Sequence, residues 1–219
     1  MNFEEFLTVC NYMGTGAAAA SGFLKGVKYK LDLFGLTLLA IITACGGGIL
    51  RDILLSEIPD ALINPKGLYI ALATSACMYF FVKYFRNSVI KSKERNGKRY
   101  KVLHVSNLIF DAIGLCAFSI IGASKGVRLN QNLITTAILA TLTGCGGGVI
   151  RDMIIGEIPQ ILKEDIYAAL AFAVGAIYYI SIFDFDSPKV FTAFLLFTSS
   201  LTIRLLIIKF KINLPVPEG

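Results

Sequence analysis

Long, uninterrupted apolar runs dominate this chain and restrict what it can fold into. Seven of them are separated by short polar breaks. A helix of about 20 residues crosses a hydrocarbon core of roughly 30 Å, so each run is long enough to span a bilayer. Transmembrane barrels give short segments of alternating polarity instead. The sequence therefore predicts an all-α membrane protein with seven transmembrane helices, at residues 6–24, 32–55, 67–85, 104–123, 131–155, 165–182 and 190–208.

The charged residues favour a membrane location and predict an orientation. Only 16% of the residues are charged and 55% are hydrophobic, whereas a soluble domain carries about 25% charged residues. The net charge of +6 does not indicate a nucleic-acid partner, because most lysines and arginines lie between the apolar runs. Basic residues favour the cytoplasmic side. They concentrate at 25–30, at 86–101 and in the C-terminal tail, which predicts an external N-terminus and a cytoplasmic C-terminus.

An internal repeat with an offset of 100 residues covers most of the chain. Residues 43–59 (TACGGGILRDILLSEIP) match residues 143–159 (TGCGGGVIRDMIIGEIP) without a gap, and the same offset relates Lys25 to Lys125. Each copy contains three spans, an odd number, so the second copy is expected to enter the membrane upside down. The predicted divisions are a first three-helix repeat at 1–85, a basic cytoplasmic linker at 86–103, an inverted repeat at 104–184, and a seventh helix with a cytoplasmic tail at 185–219. The seventh helix lies outside the repeat and is interpreted as a scaffold or a subunit contact.

Two glycine triplets lie inside the second and fifth spans. They are Gly46-Gly47-Gly48 and Gly146-Gly147-Gly148. Each glycine costs a helix interior roughly 1 kcal/mol relative to alanine, so helices 2 and 5 are predicted to be broken there. A break frees backbone carbonyls that must find partners or line a wet cavity, and such carbonyls are plausible cation ligands of a pore. The alternative is that the glycines only let two helices cross closely.

Charged residues follow each triplet. Arg51-Asp52 and Arg151-Asp152 lie within apolar spans, where an arginine normally faces protein or water and has a partner. One interpretation pairs each arginine with the aspartate of the other repeat, and the other places the charges at the pore mouths. Asp111, early in the fourth span, is a candidate cation ligand or a counter-ion for one of the arginines.

Two basic residues at the end of the fourth span are less routine. Lys125 and Arg128 lie on the side of the membrane that carries few basic residues. They are predicted to snorkel to the interface, with binding to a lipid headgroup or gating of the pore as alternatives. The sequence offers no redox, metal or nucleophilic constellation, since its five cysteines lie inside apolar runs and it has one histidine. Neither catalysis nor a cofactor is predicted.

The doubled Gly-Gly-Gly-x-x-Arg-Asp element in paired three-span units, with a seventh span, resembles the prokaryotic trimeric intracellular cation channel family. The resemblance covers roughly residues 5–208. It implies a homotrimer in a bacterial inner membrane, with a K⁺ pore in each protomer around the kinked spans two and five. Animal members bind a phosphoinositide through a Lys-Glu-Val element, which is Lys125-Gly126-Val127 here and lacks the glutamate. The bacterial domain has also been labelled a glycine transporter, so transport of a small neutral amino acid stays an alternative.

Overall fold

A computed structural model of the chain describes residues 2–89, 98–163 and 165–210. Within these residues the chain forms seven long helices and two one-turn helices. They are α1 (Phe3–Lys28), α2 (Leu33–Leu54), α3 (Asp60–Ile63), α4 (Lys66–Val89), α5 (Lys98–Arg128), α6 (Leu133–Ile154), α7 (Gln160–Lys163), α8 (Asp165–Phe183) and α9 (Lys189–Phe210).

Six of the long helices are long and apolar enough to cross a membrane, namely α2, α4, α5, α6, α8 and α9. Large apolar side chains are exposed on their outer surfaces, among them Phe34, Phe80 and Phe194, as expected of faces that contact lipid rather than water. The helix α1 is as long, but its many Gly, Ala and Ser residues make it less apolar. Its crossing of the membrane therefore stays a prediction.

Small residues bring the central helices close together. The helix α1 packs on α5 and α2 packs on α6, while α4 and α8 lie beside these pairs and α9 contacts α5 and α8. At the α1–α5 contact, a Cβ atom on Gly14 would lie 3.0 Å from the Cβ of Ala117, and one on Gly114 would lie 3.3 Å from the Cβ of Ala18. Such stripes of small residues are the usual means by which helices associate in lipid.

The repeat recurs in the local structure at the starts of α2 and α6 and in the turns before them. Asp32 caps α2 by accepting a hydrogen bond from the Gly35 amide at 2.7 Å, and Asn132 caps α6 in the same way. The turn before each of these helices contains a left-handed residue, Lys30 in one repeat and Asn130 in the other. Side-chain caps and left-handed turn residues both fix the chain direction at helix ends.

The predicted breaks at the glycine triplets are wrong. Both α2 and α6 run as continuous helices through their triplets. The reason is the close crossing of the two helices: a Cβ atom on Gly47 would lie 2.3 Å from the carbonyl oxygen of Thr143, and one on Gly147 would lie 2.1 Å from that of Thr43. The glycines thus remove side chains from a backbone-to-backbone contact, and the helical carbonyls keep their intrahelical partners.

The helices on either side of the predicted linker extend beyond their predicted boundaries. The helix α4 continues to Val89, into the predicted linker at 86–103, and α5 begins at Lys98. The rest of that linker, 90–97, and the predicted tail at 211–219 lie outside the described residues. The external N-terminus and the opposite insertion of the two repeats stay predictions.

Candidate functional site

Each arginine that follows a glycine triplet folds back on its own aspartate. Arg51 Nε donates to Asp52 Oδ1 at 2.8 Å, and its Nη2 lies 3.1 Å from Asp60 Oδ2. Arg151 Nε donates to Asp152 Oδ1, also at 2.8 Å. Among the residues that the structure describes, no ion pair joins Arg51 to Asp152 or Arg151 to Asp52. The predicted cross-repeat arginine pairs are therefore absent, because an arginine side chain is long enough to curl onto the next residue.

Among the described residues, lysines rather than arginines make the ion pairs between the two repeats. Lys125 Nζ lies 3.0 Å from Asp52 Oδ1 and 2.6 Å from Glu57 Oε2. In the reciprocal contact, Lys25 Nζ lies 2.6 Å from Asp152 Oδ1 and 3.0 Å from Glu157 Oε2. Each lysine comes from the end of the helix before its own repeat's glycine helix and reaches the aspartate of the other repeat. An ion-paired link between the repeats thus exists, with partners that differ from those predicted.

The outcome for the two basic residues of the fourth span differs. The side chain of Lys125 is only 5% exposed and is held by carboxylates, so the predicted snorkelling is wrong for it. A buried ammonium is stable only when such partners compensate its lost hydration. Arg128, one turn later, is exposed at the end of α5.

The second carboxylate oxygen of each aspartate holds the segment that follows its helix. Asp52 Oδ2 accepts a hydrogen bond from the Asp60 amide at 2.9 Å. Asp152 Oδ2 accepts one from the Gln160 amide at 3.0 Å. These amides belong to the first residues of α3 and α7, whose N–H groups have no intrahelical acceptor. Each aspartate therefore binds an arginine, a lysine of the other repeat and a helix start at once.

Glu157 gathers three donors at the second-repeat end. Lys28 Nζ lies 2.8 Å from its Oε1, Lys25 Nζ lies 3.0 Å from its Oε2, and the Tyr29 hydroxyl donates to its Oε1. Partial burial alone would raise the pKa of Glu157, but the hydrogen bonds from Lys28, Tyr29 and Lys25 lower it to about 2. The hydrogen bond between Tyr29 and Glu157 raises the pKa of Tyr29. Glu157 is thus a carboxylate at any physiological pH.

Asp111 lies against an arginine. Its Oδ1 accepts a hydrogen bond from Arg151 Nη1 at 3.1 Å, and the same nitrogen donates to Ser21 Oγ at 2.9 Å. Asp111 is buried. Of the two roles considered for Asp111, cation ligand and counter-ion, its position matches the counter-ion.

A cavity of about 320 Å³ lies beside the glycine crossing. Helices α1 and α2 form much of its wall, and it reaches Thr143, the residue whose carbonyl meets Gly47. Among its lining residues are Asn11, Gly48, Arg51, Asp52, Asp60 and Lys66. Of the predicted site residues it brings together Gly48, Arg51 and Asp52, whereas Asp111, Arg151 and Asp152 lie at the other cluster.

Sequence reasoning missed several charged residues at these clusters, which are Lys25, Glu57, Asp60, Glu157 and Arg204. Asp60 binds both Arg51 and Lys125. Arg204, in the middle of α9, is 1% exposed, and its guanidinium carbon lies 4.7 Å from the centre of the Tyr167 ring. An arginine inside an apolar run is itself a signal of function or pairing, so Arg204 was detectable. Asp60 lies in a polar break, where a carboxylate is unremarkable.

Solved structures show the same fold over nearly the whole chain. A prokaryotic TRIC channel crystallised in 0.5 M KCl is 34% identical, with a TM-score of 0.83 over 96% of this chain and 100% of that one. A second TRIC cation channel is also 34% identical, with a TM-score of 0.81 over 97% of both chains. This chain belongs to the prokaryotic trimeric intracellular cation (TRIC) channel family. A TRIC orthologue from Rhodobacter sphaeroides, 23% identical with a TM-score of 0.79, shares the fold.

Sequence relatives place this TRIC family member among bacterial membrane proteins. The inner membrane protein YadS of Escherichia coli (strain K12) is 30% identical over 204 residues, which is 93% of this chain and 92% of YadS. The membrane protein YvgT of Bacillus subtilis (strain 168) is 34% identical over 173 residues, 79% of this chain and 78% of YvgT. The profile of the family described as "Glycine transporter" matches residues 8–84 and 108–182. The chain is therefore a multi-pass membrane protein, and the match to this profile occurs twice, once in each repeat.

Proposed function

We propose that this TRIC family member conducts monovalent cations, chiefly K⁺, through a pore within each protomer around α2 and α6. The observation that carries this proposal is the polar cavity beside the Gly47–Gly147 crossing, inside a bundle of apolar helices. Irregular or polar surface at membrane depth is tolerated where it lines a water-filled space. Two solved relatives at 34% identity are TRIC cation channels, which supports the same role here. No catalytic activity is proposed.

Side-chain oxygens rather than freed carbonyls would meet the ion in this cavity. Because α2 and α6 are continuous, the carbonyls of their triplets remain in helical hydrogen bonds. The cavity instead presents Asn11, Thr15 and Asp60, and the Asp60 side chain is 62% exposed. An exposed carboxylate at a pore mouth concentrates cations in a way that salt screens. The glycine crossing, where the two backbones touch, would be the constriction.

The reciprocal lysine contacts would serve as gates. Lys125 holds Asp52, Glu57 and Asp60 at the cavity, and Lys25 holds Asp152 and Glu157 at the second cluster. Separating either lysine from its aspartate would free α2 and α6 to move relative to each other, so the two ion pairs would bias the crossing between closed and open. Interfaces of this kind have discrete arrangements rather than continuous ones.

The surroundings proposed for this channel follow the family. The Rhodobacter relative is a trimeric channel, and we infer a homotrimer here, with membrane lipids against the exposed apolar faces of α2, α4 and α9. The N-terminus would face outward and the C-terminus would face the cytoplasm, with the two repeats inserted in opposite directions. Arg128, exposed at the end of α5, would contact lipid headgroups.

The test is single-channel recording of the purified protein in a planar bilayer with KCl. We expect discrete unitary currents carried by K⁺ in preference to Cl⁻. Replacing Asp60 by Asn should lower the conductance at low salt and have less effect at high salt, because mobile ions screen the carboxylate. The converse variant is Gln160→Glu, which adds a carboxylate at the equivalent position of the second repeat. Protein that inserts fully but never produces unitary currents would contradict the channel.

One feature of the cavity favours a second candidate, transport of a small zwitterion such as glycine. The cavity presents Arg51 and Lys66 near Asp60, which are partners for the carboxylate and the amine of an amino acid. Alternating access suits a protein of two similar halves. Saturable exchange of labelled glycine by proteoliposomes, without unitary currents, would favour this function over the channel.

A further inference from the structure

The two repeats share one register but place different side chains around the glycine crossing. The amides of Asp60 and Gln160 bind the aspartates of their own repeats in the same way. In α4, Ser75 donates to Thr37 at 3.1 Å. In α8, a Cβ atom on Gly175 would lie 2.7 Å from the Cα of Ala137. The offset of 100 residues therefore holds for α4 and α8, and each cavity residue has a defined counterpart.

The counterparts of four cavity residues form a packed apolar cluster. In the first repeat, the cavity is lined by Thr15, Cys45, Ala61 and Gly67. At the same positions the second repeat has Leu115, Cys145, Ile161 and Tyr167, which pack together. The cysteine is the same in both repeats, and each of the other three positions carries a larger side chain in the second repeat.

Tyr167 makes the largest of these differences. A Cβ atom on Gly67 would meet nothing within 4 Å, whereas the Tyr167 side chain fills the equivalent space and is 3% exposed. The Tyr167 hydroxyl lies 3.7 Å from the position of a Cβ on Gly148, beside the second glycine triplet. On its other side, the guanidinium of Arg204 lies over the ring, so α9 holds Tyr167 in place.

We propose that Tyr167 closes the second vestibule of the conduction path, and that Arg204 on α9 stabilises this closed position. This inference rests on the proposed channel function. The lysine contacts of the repeats are reciprocal, so the counterpart of the open cavity lies at the opposite end of the α2–α6 crossing. A path through the crossing must pass both ends. One end is open in this structure and the other is filled, and conduction requires the Tyr167 ring to leave.

Exchanging the two residues tests the assignment. Tyr167→Gly gives the second vestibule the residue of the first, and should raise the open probability by about tenfold or more, because the contacts of a buried aromatic ring favour the closed state. Gly67→Tyr should reduce the current by a similar factor by filling the open cavity. Gly67→Ala is the size comparison, since its added Cβ meets no neighbour within 4 Å, and it should reduce the current far less than Gly67→Tyr.

The native cysteines give a readout that does not depend on current. Cys45 lines the open cavity, and Cys145 is its counterpart beside Tyr167. In chains that retain only one of them, methanethiosulfonate ethylammonium should modify Cys45 faster than Cys145, because Cys45 is 8% exposed and borders the cavity whereas Cys145 is 2% exposed. A packed thiol reacts only when its surroundings open. Tyr167→Gly should remove that difference. In the parent chain, Cys145 should react faster under conditions that raise the open probability.

The outcomes separate the two proposals. If the parent chain gives no currents, the channel fails, while the labelling difference still shows whether Tyr167 seals the second vestibule. If the parent conducts and Cys145 stays unreactive while currents flow, Tyr167 is not on the path and the inference is overturned. That measurement needs no change at Tyr167, so it decides the matter even if Tyr167→Gly fails to fold.

Discussion

The buried lysine–aspartate contact between the repeats allows a quantitative test with Lys125→Met and Asp52→Asn. Lys125 Nζ and Asp52 Oδ1 are 3.0 Å apart, and the two side chains are 5% and 1% exposed. Removing one partner of a fully buried pair costs about 3–5 kcal/mol. Asp52 keeps Arg51 at 2.7 Å, and Lys125 keeps Glu57 at 2.6 Å. Each single substitution should therefore destabilise the protein by less, about 2–3 kcal/mol.

The double variant should recover part of the loss. Because each single change leaves the other charge with one partner fewer, we expect a coupling energy of about 1.5 kcal/mol or more between Lys125 and Asp52. The control cycle is Arg51→Met with Asp152→Asn, a pair that sequence reasoning joined and the structure separates into different clusters. These two should be additive to within about 0.5 kcal/mol.

Unfolding by SDS in mixed micelles, followed by far-ultraviolet circular dichroism, gives the free energies. The chain has no tryptophan, so helix content is a better signal than intrinsic fluorescence. Additive effects of Lys125→Met and Asp52→Asn would refute the reasoning, since they would mean that this contact does not join the repeats energetically. Strong coupling between Arg51 and Asp152 would show that the arginines cross between repeats after all.

Three further predictions use the same protein. Gly47→Ala and Gly147→Ala should each lower the free energy of unfolding in SDS by about 1–3 kcal/mol through overpacking, because the added Cβ would lie 2.3 and 2.1 Å from carbonyl oxygens. Gly48→Ala is the control, since the nearest neighbour of its Cβ lies at 3.9 Å. Equal losses in all three variants would contradict the close crossing of α2 and α6. The pKa of Glu157 is lowered from 4.5 to about 2, so its contribution to stability is complete above pH 4.5 and is lost as the pH falls toward 2. Glu157→Gln should therefore flatten the pH dependence of the thermal unfolding temperature in that range. An unchanged pH profile would count against the contacts of Glu157 with Lys25, Lys28 and Tyr29. Ser56 and Gly156 both have left-handed backbones, with φ of 56° and 71°. Gly156→Ser should lower the free energy of unfolding by about 1 kcal/mol, whereas Ser56→Gly should not lower it. If thermal unfolding showed a loss for Ser56→Gly and none for Gly156→Ser, this explanation would be excluded.

The sequence was informative about segments and repeats because both depend on local pattern. The apolar runs located the long helices. The offset of 100 residues that relates Cys45 to Cys145 also relates the starts of α3 and α7, which bind Asp52 and Asp152 in the same way. The glycine triplets were assigned to the right place and given the wrong conformation. The propensity cost of glycine is a local quantity, whereas the contact between Gly47 and Thr143 is tertiary, and the tertiary contact decided the outcome.

The charge pairing was harder to predict because it depends on side-chain reach. A spacing of one residue did not favour a bond between Arg51 and Asp52, yet a flexible arginine makes it. Lys125 lies near the end of an apolar run, where snorkelling is the usual behaviour, and only the position of Asp52 in three dimensions shows that it is buried. The difference between Gly67 and Tyr167 was visible in the sequence, but its meaning required the cavity.

The reciprocal lysine contacts have a consequence for synthesis of the chain. When the first repeat has been synthesised, Asp52 has its Arg51 partner, but Lys125 has not yet been added to the chain. Asp152 likewise depends on Lys25, which was inserted long before it. Neither half can complete its charge compensation alone, and a charge without its partner in lipid is costly. A nascent chain that stops after the first repeat would therefore lack the Lys125 partner of Asp52 and the Asp152 partner of Lys25.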